Sequence, residues 1–151
     1  MLVCDRAAQY GGTVSRQPQR YAGGRGELTV VLDCADLGRA AEFWTAALGY
    51  VRAGDAQDPY QALVPSDGIG LELLLQRVPE AKDAKNRLHL DLRTRELEQE
   101  VARVLALGAA VLTPEPLHED GWTWHILADP DGNEFCVVEP APDYWDPATE
   151  Q

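Results

Sequence analysis

The sequence predicts an α+β protein of two tandem βαβββ modules, whose curved mixed sheet encloses a shared cavity and carries its helices on the outer face. Three observations predict it. Apolar residues alternate, then recur every three to four positions, then alternate again, and the chain runs through this order twice. The two helical stretches end on related phrases, "AALGYV" and "LALGAAV". The spacing is also kept: Thr29 stands 20 residues before Gly49, and His89 stands 19 before Gly108. Self-similarity of this kind marks an internal duplication, with modules expected over residues 27–78 and 86–140.

Residues 1–26 have no sustained periodicity and are rich in Gly, Arg and Gln, so they read as a mobile extension without an apolar secretory stretch. "LTVVLDCA" then reads as a strand, with Leu28, Val30, Leu32 and Cys34 on one face and Thr29, Val31 and Asp33 on the other. Asp36 is placed to cap the helix "LGRAAEFWTAAL", and Gly49 to end it. Its apolar side includes Phe43 and Trp44, which are assigned to the core. Strands follow at "YVRAG", "YQALVP" and "GLELLLQRV", separated by Gly, Pro and Asp clusters.

The second module opens on "RLHLDLR". Leu88, Leu90 and Leu92 make one face, and His89 and Asp91 the other. Thr94 is expected to cap a helix striped by Leu97, Val101, Val104 and Leu105, with Gly108 as its stop. Strands follow at "AAVLTP", "GWTWHILAD" and "NEFCVVEP", the last two joined by the turn residues Asp129-Pro130-Asp131-Gly132. "PLHEDGW" reads as a loop, with His118 exposed or part of a lid. The tail, 141–151, places Tyr144 and Trp145 among prolines that do not suit a sheet. It is expected to fold over the cavity mouth or onto a partner subunit.

Composition narrows the function. A length of 151 residues, 45% of them hydrophobic, is enough for one ordinary domain with a core. The net charge is −12, and residues 1–26 contribute +3, which leaves −15 on the remainder. Such a chain repels nucleic-acid phosphates and anionic membrane surfaces. No apolar run is long enough for a membrane span. Cys4, Cys34 and Cys136 are odd in number and lack CxxC spacing, which fits free thiols in the cytoplasm.

Three stretches, "LDCADLGRAAEFWTAALGY", "KNRLHLDL" and "WHILADPDGNEFCVVE", resemble the vicinal oxygen chelate superfamily, the fold of glyoxalase I, extradiol dioxygenases, and fosfomycin-resistance and bleomycin-binding proteins. The likeness covers about residues 27–140 and is nearest to the glyoxalase-like subgroup. It implies a cavity that binds a small molecule, and a homodimer. Metal-binding members carry ligands on the first and last strand of each module. Position by position, the resemblance puts Thr29, Glu72, His89 and Cys136 there. Thr29 is a poor ligand and Cys136 a soft one, so no cofactor is favoured. A divalent metal, if held, would fall to His89, Glu72 and Cys136.

Alternation gives the rest of the candidate site. With Cys136 inward, the hairpin register turns Trp122, Trp124 and Ile126 inward too, and His125 away. Asp33 accompanies Thr29, and Gln76 accompanies Glu72. His89 and Asp91, two apart on one strand, are neighbours, and a carboxylate beside an imidazole orients it for acid–base work. The leading expectation is a metal-independent protein that binds a small organic molecule. The alternative is a lyase, isomerase or dioxygenase that uses His89 as acid–base or as metal ligand with Glu72.

Overall fold

A computed structural model of the chain describes residues 28–145. The expected extension over 1–26, with Cys4, and the last residues of the tail lie outside the described residues. The chain divides into two compact units, the first running to Glu80 and the second starting at Ala81. No described helix is long and apolar enough to cross a membrane.

Unit 1 has the order β1 (Val30–Cys34), α1 (Leu37–Leu48), β2 (Tyr50–Arg52), β3 (Tyr60–Pro65) and β4 (Leu73–Arg77). Its sheet runs β1-β4-β3-β2, with β1 parallel to β4 and the other pairs antiparallel. The parallel pair requires a crossover, and α1 is part of it. Helix α1 has the bounds its punctuation predicts. Asp36 is extended, and its carboxylate accepts a 2.9 Å hydrogen bond from the Arg39 backbone N–H. That bond holds the Asp36 carboxyl below the ordinary range. Gly49 closes the helix at φ 68, a conformation that costs any residue with a Cβ. Phe43 and Trp44, edge to face at 5.1 Å, are buried, as are Leu63, Leu73 and Leu75 of the sheet. Each fully buried leucine contributes roughly 2 kcal/mol of transfer free energy. Two expectations change here. Leu28 precedes β1 and is 64% exposed, and Glu72 precedes β4 instead of lying within it.

Unit 2 has the order β5 (Leu90–Arg93), α2 (Leu97–Ala106), β6 (Ala110–Val111), β7 (Leu117–Glu119), β8 (Trp122–Ala128) and β9 (Glu134–Glu139). Its sheet runs β5-β9-β8-β6 with β5 parallel to β9, the order of unit 1, and β7 pairs with β8. The stretch "PLHEDGW" is therefore half of a hairpin instead of a loop. Its turn is Asp120-Gly121, both at positive φ (48 and 83), as a two-residue Asp-Gly turn requires. His118 lies on β7 with its Nδ1 3.0 Å from Thr123 Oγ1. The strand expected over "RLHLDLR" starts only at Leu90, and Leu88 is 74% exposed, so the three-leucine stripe is not one face.

Helix α2 also begins later than expected. Thr94 is not its cap: Thr94 Oγ1 accepts from the Glu96 N–H at 3.1 Å, two residues ahead of the cap position at Glu96. Glu139 of β9 reaches across and accepts from the Leu97 N–H at 3.1 Å. That contact identifies the face of the sheet that α2 covers. Phe135, Val137 and Leu127 share Glu139's side of the pleat and are fully buried, with Val104 of the helix. The turn between β8 and β9 is organised by one carboxylate. Buried Asp129 accepts from the backbone N–H of Asp131 (2.9 Å) and Asn133 (2.8 Å), and from Asn133 Nδ2 (3.1 Å).

Candidate functional site

The opposite face of the unit 2 sheet carries the site. Register puts Asp91, Cys136 and Ile126 in one row across β5, β9 and β8, and Arg93, Val138 and Trp124 in the next. Trp122 lies beyond them, opposite Glu119 of β7. All of these except Arg93 line a cavity of about 550 Å³, a size suited to a small organic molecule. Trp122, Trp124, Ile126 and Val138 provide the apolar wall, with Cys136 among them. His89, Asp91, Glu119, Asp120, Glu134 and Lys85 supply the polar groups.

Every lining residue comes from unit 2. Of the residues singled out in the sequence, the cavity brings together His89, Asp91, Trp122, Trp124, Ile126 and Cys136. Thr29, Asp33, Glu72 and Gln76 belong to unit 1, where Asp33 and Gln76 are register partners on β1 and β4. His125 lies on the other face, buried, with its Nδ1 3.1 Å from Thr113 Oγ1. Sequence reasoning missed Lys85, Glu119, Asp120, Glu134 and Val138. Glu134 and Val138 flank Cys136 at two-residue spacing, so the same alternation could have found them. The Asp-Gly dipeptide was the available signal for Glu119 and Asp120.

Glu134 fixes the segment that leads to His89. Its carboxylate accepts from the Asn86 N–H at 3.1 Å and pairs with Lys82 Nζ at 3.1 Å. Burial alone would push the Glu134 carboxyl up, but these hydrogen bonds hold it below the ordinary value. His89 Nε2 lies 3.4 Å from Asp91 Oδ1. At the floor, burial pushes the Cys136 thiol up to about 11, and the Asp91 charge and hydrogen bond act the same way. At neutral pH this group is a thiol, not a nucleophilic thiolate.

His89, Asp91 and Cys136 also have donor atoms that all lie within 4.8 Å of one another. Two ligands at about 2.1 Å from one tetrahedral ion stand about 3.4 Å apart, the separation seen between His89 and Asp91. Imidazole, carboxylate and thiol together suit a borderline ion such as zinc, not a hard ion that takes only oxygen donors. These three residues would hold such an ion, which would polarise a bound oxygen.

Two mixed sheets built from βαβββ modules are the fold of the glyoxalase/bleomycin resistance/dioxygenase proteins. Residues 29–138 match the glyoxalase-like domain family, and the chain belongs to that family. No curated protein matches it. Among solved structures, it is similar to a hypothetical protein of S. aureus, with 22% identity and a TM-score of 0.60 over 78% of this chain and 100% of that one. It is similar to a glyoxalase/bleomycin resistance protein/dioxygenase family enzyme of Burkholderia phytofirmans, with 15% identity and a TM-score of 0.61 over 76% and 98%. It is also similar to the fosfomycin resistance protein FosX of Listeria monocytogenes, with 16% identity and a TM-score of 0.64 over 79% and 93%. That FosX structure is a complex with Mn(II) and 1S,2S-dihydroxypropylphosphonic acid.

Proposed function

We propose that this protein binds a small organic molecule with a planar apolar body and a positive charge, and that binding needs no metal. The observation that carries the reading is the cavity wall itself. Two indoles and two aliphatic side chains stand beside the carboxylates of Asp91, Glu119, Asp120 and Glu134, with Lys85 the lining residue of opposite charge. Indole faces attract flat rings and cations, and the carboxylates favour a cation. A phosphonate such as the one bound to FosX would meet repulsion here.

Calorimetry of the full chain in EDTA, with N-methylquinolinium and naphthalenesulfonate as probes, tests this. The cation should bind and raise the melting temperature, and Trp124→Ala should weaken it by about 1–2 kcal/mol. If neither probe binds, or binding appears only when a divalent ion is added, the reading fails.

The 3.4 Å contact between His89 and Asp91 supports a second reading, a lyase or isomerase with His89 as acid–base and Asp91 as its orienter. In that case His89→Ala keeps ligand affinity and loses turnover. A cytoplasmic homodimer remains part of the proposal: two buried cysteines outside any disulfide, Cys34 and Cys136, support the compartment, and the family resemblance supports the dimer. Light scattering of the purified chain checks the dimer.

A further inference from the structure

Aromatic rings and guanidinium groups meet where the chain leaves β9. A turn closed by the Tyr144 N–H on the Ala141 carbonyl, at 2.9 Å, folds the chain back. Tyr144 then lies edge to face with Trp122, ring centroids 5.3 Å apart at 63°. Arg93 of β5 stands over both rings, its Cζ 5.5 Å from the Trp122 centroid and 5.1 Å from that of Tyr144. Arg93 Nη1 also donates to Tyr144 Oη at 2.5 Å. A second rung backs the first: Trp145 packs on Tyr144 at 4.9 Å, and Arg95 stands over Trp145 at 5.3 Å. The hairpin tip is close to the same segment, since a Cβ on Gly121 would come within 3.4 Å of Ala141 Cβ. Tyr144 and Trp145 lie beyond the last strand, yet more than half of each is covered.

We infer that Arg93 and Tyr144 are positioning residues of the ligand cavity. They clamp the Trp122 indole and fix the end wall against which a planar ligand stacks. Trp122 directly follows a two-residue turn, where its two side-chain torsions would otherwise be loosely held. The clamp sets them before a ligand arrives, so binding loses no further freedom there. The segment after β9 thereby governs affinity without lining the cavity. The inference rests on the cavity being a ligand site, and its test separates the two ideas.

In the full chain labelled with nitrogen-15, the four tryptophans give four indole N–H signals, and Trp122→Phe identifies the one from Trp122. Tyr144→Ala should move the Trp122 signal and leave that of Trp44 in place. Tyr144→Phe, which keeps the ring and loses only the hydroxyl, should move it less. A Trp122 signal unchanged in Tyr144→Ala overturns the clamp. With N-methylquinolinium as probe, Tyr144→Ala should weaken binding about five- to tenfold. The same change in a Trp122→Ala background should add nothing. Equal weakening in both backgrounds would mean that Tyr144 acts by another route, and the inference falls. If the unmodified chain binds no probe, the ligand-site reading fails instead, and the indole signals alone decide whether Trp122 is clamped.

Discussion

Cys136 shows how one position combines packing and charge. It lies in the row with Asp91 and Ile126, where burial and the neighbouring carboxylate both oppose the thiolate. Its folded value is about 11, against an ordinary 9.0. Between about pH 9 and 11 the unfolded chain therefore gives up a proton that the folded chain keeps. The contribution to stability is present below this window and is lost as pH rises through it. Urea midpoints of metal-free protein should thus drop across it more steeply than those of Cys136→Ala, and parallel curves would count against the argument. Alkylation by iodoacetamide at pH 7 should be slow for the same reason. Much at this scale was legible in the sequence. Alternation on β8 and β9, anchored by the Asp129–Gly132 turn, makes Trp122, Trp124, Ile126 and Cys136 neighbours. Lys85 was not legible, because a long-range tie between Glu134 and the segment before β5 brings it to the cavity.

The elements differ in how much of their punctuation is local. Helix α1 is bounded by Asp36 and Gly49, both within one residue of its ends, so its limits could be read directly. Gly49→Ala should cost about 1 kcal/mol through backbone strain alone, since no atom lies near the added methyl. Helix α2 takes a cap from Glu139, 42 residues away, and no local pattern announces that. Glu139→Ala should fray its first turn, seen as faster amide exchange at Leu97. Strand β5 is short for a related reason, because the chain before it is tied to the Glu134 side chain instead of the β9 backbone. Where packing alone decides, the cost is larger. Phe135→Ala removes a fully buried ring from under α2 and should destabilise unit 2 by about 3–5 kcal/mol, measurable by denaturant unfolding.

At the scale of the whole molecule, the duplication was legible because the order of elements and their spacing repeat. The hairpin that adds β7 to the second unit was not, because its first strand is short and exposed. The net charge of −12 gives the chain a field that draws cations from a distance. Affinity for N-methylquinolinium should fall several-fold when salt rises from about 20 to about 500 mM, as screening shortens the reach of that field. Affinity that ignores salt would point to stacking alone. The Glu134 tie has a consequence for digestion. Lys82, Lys85 and Arg87 lie in the stretch between the two sheets, and trypsin cleaves after such residues. Lys82 is half-buried against Glu134 and Asn86 is held by the same carboxylate, whereas Lys85 and Arg87 are exposed. Brief digestion should therefore nick the described chain first at Lys85 or Arg87, leaving one complete sheet on each side of the cut. Glu134→Gln should bring Lys82 into the first cuts as well.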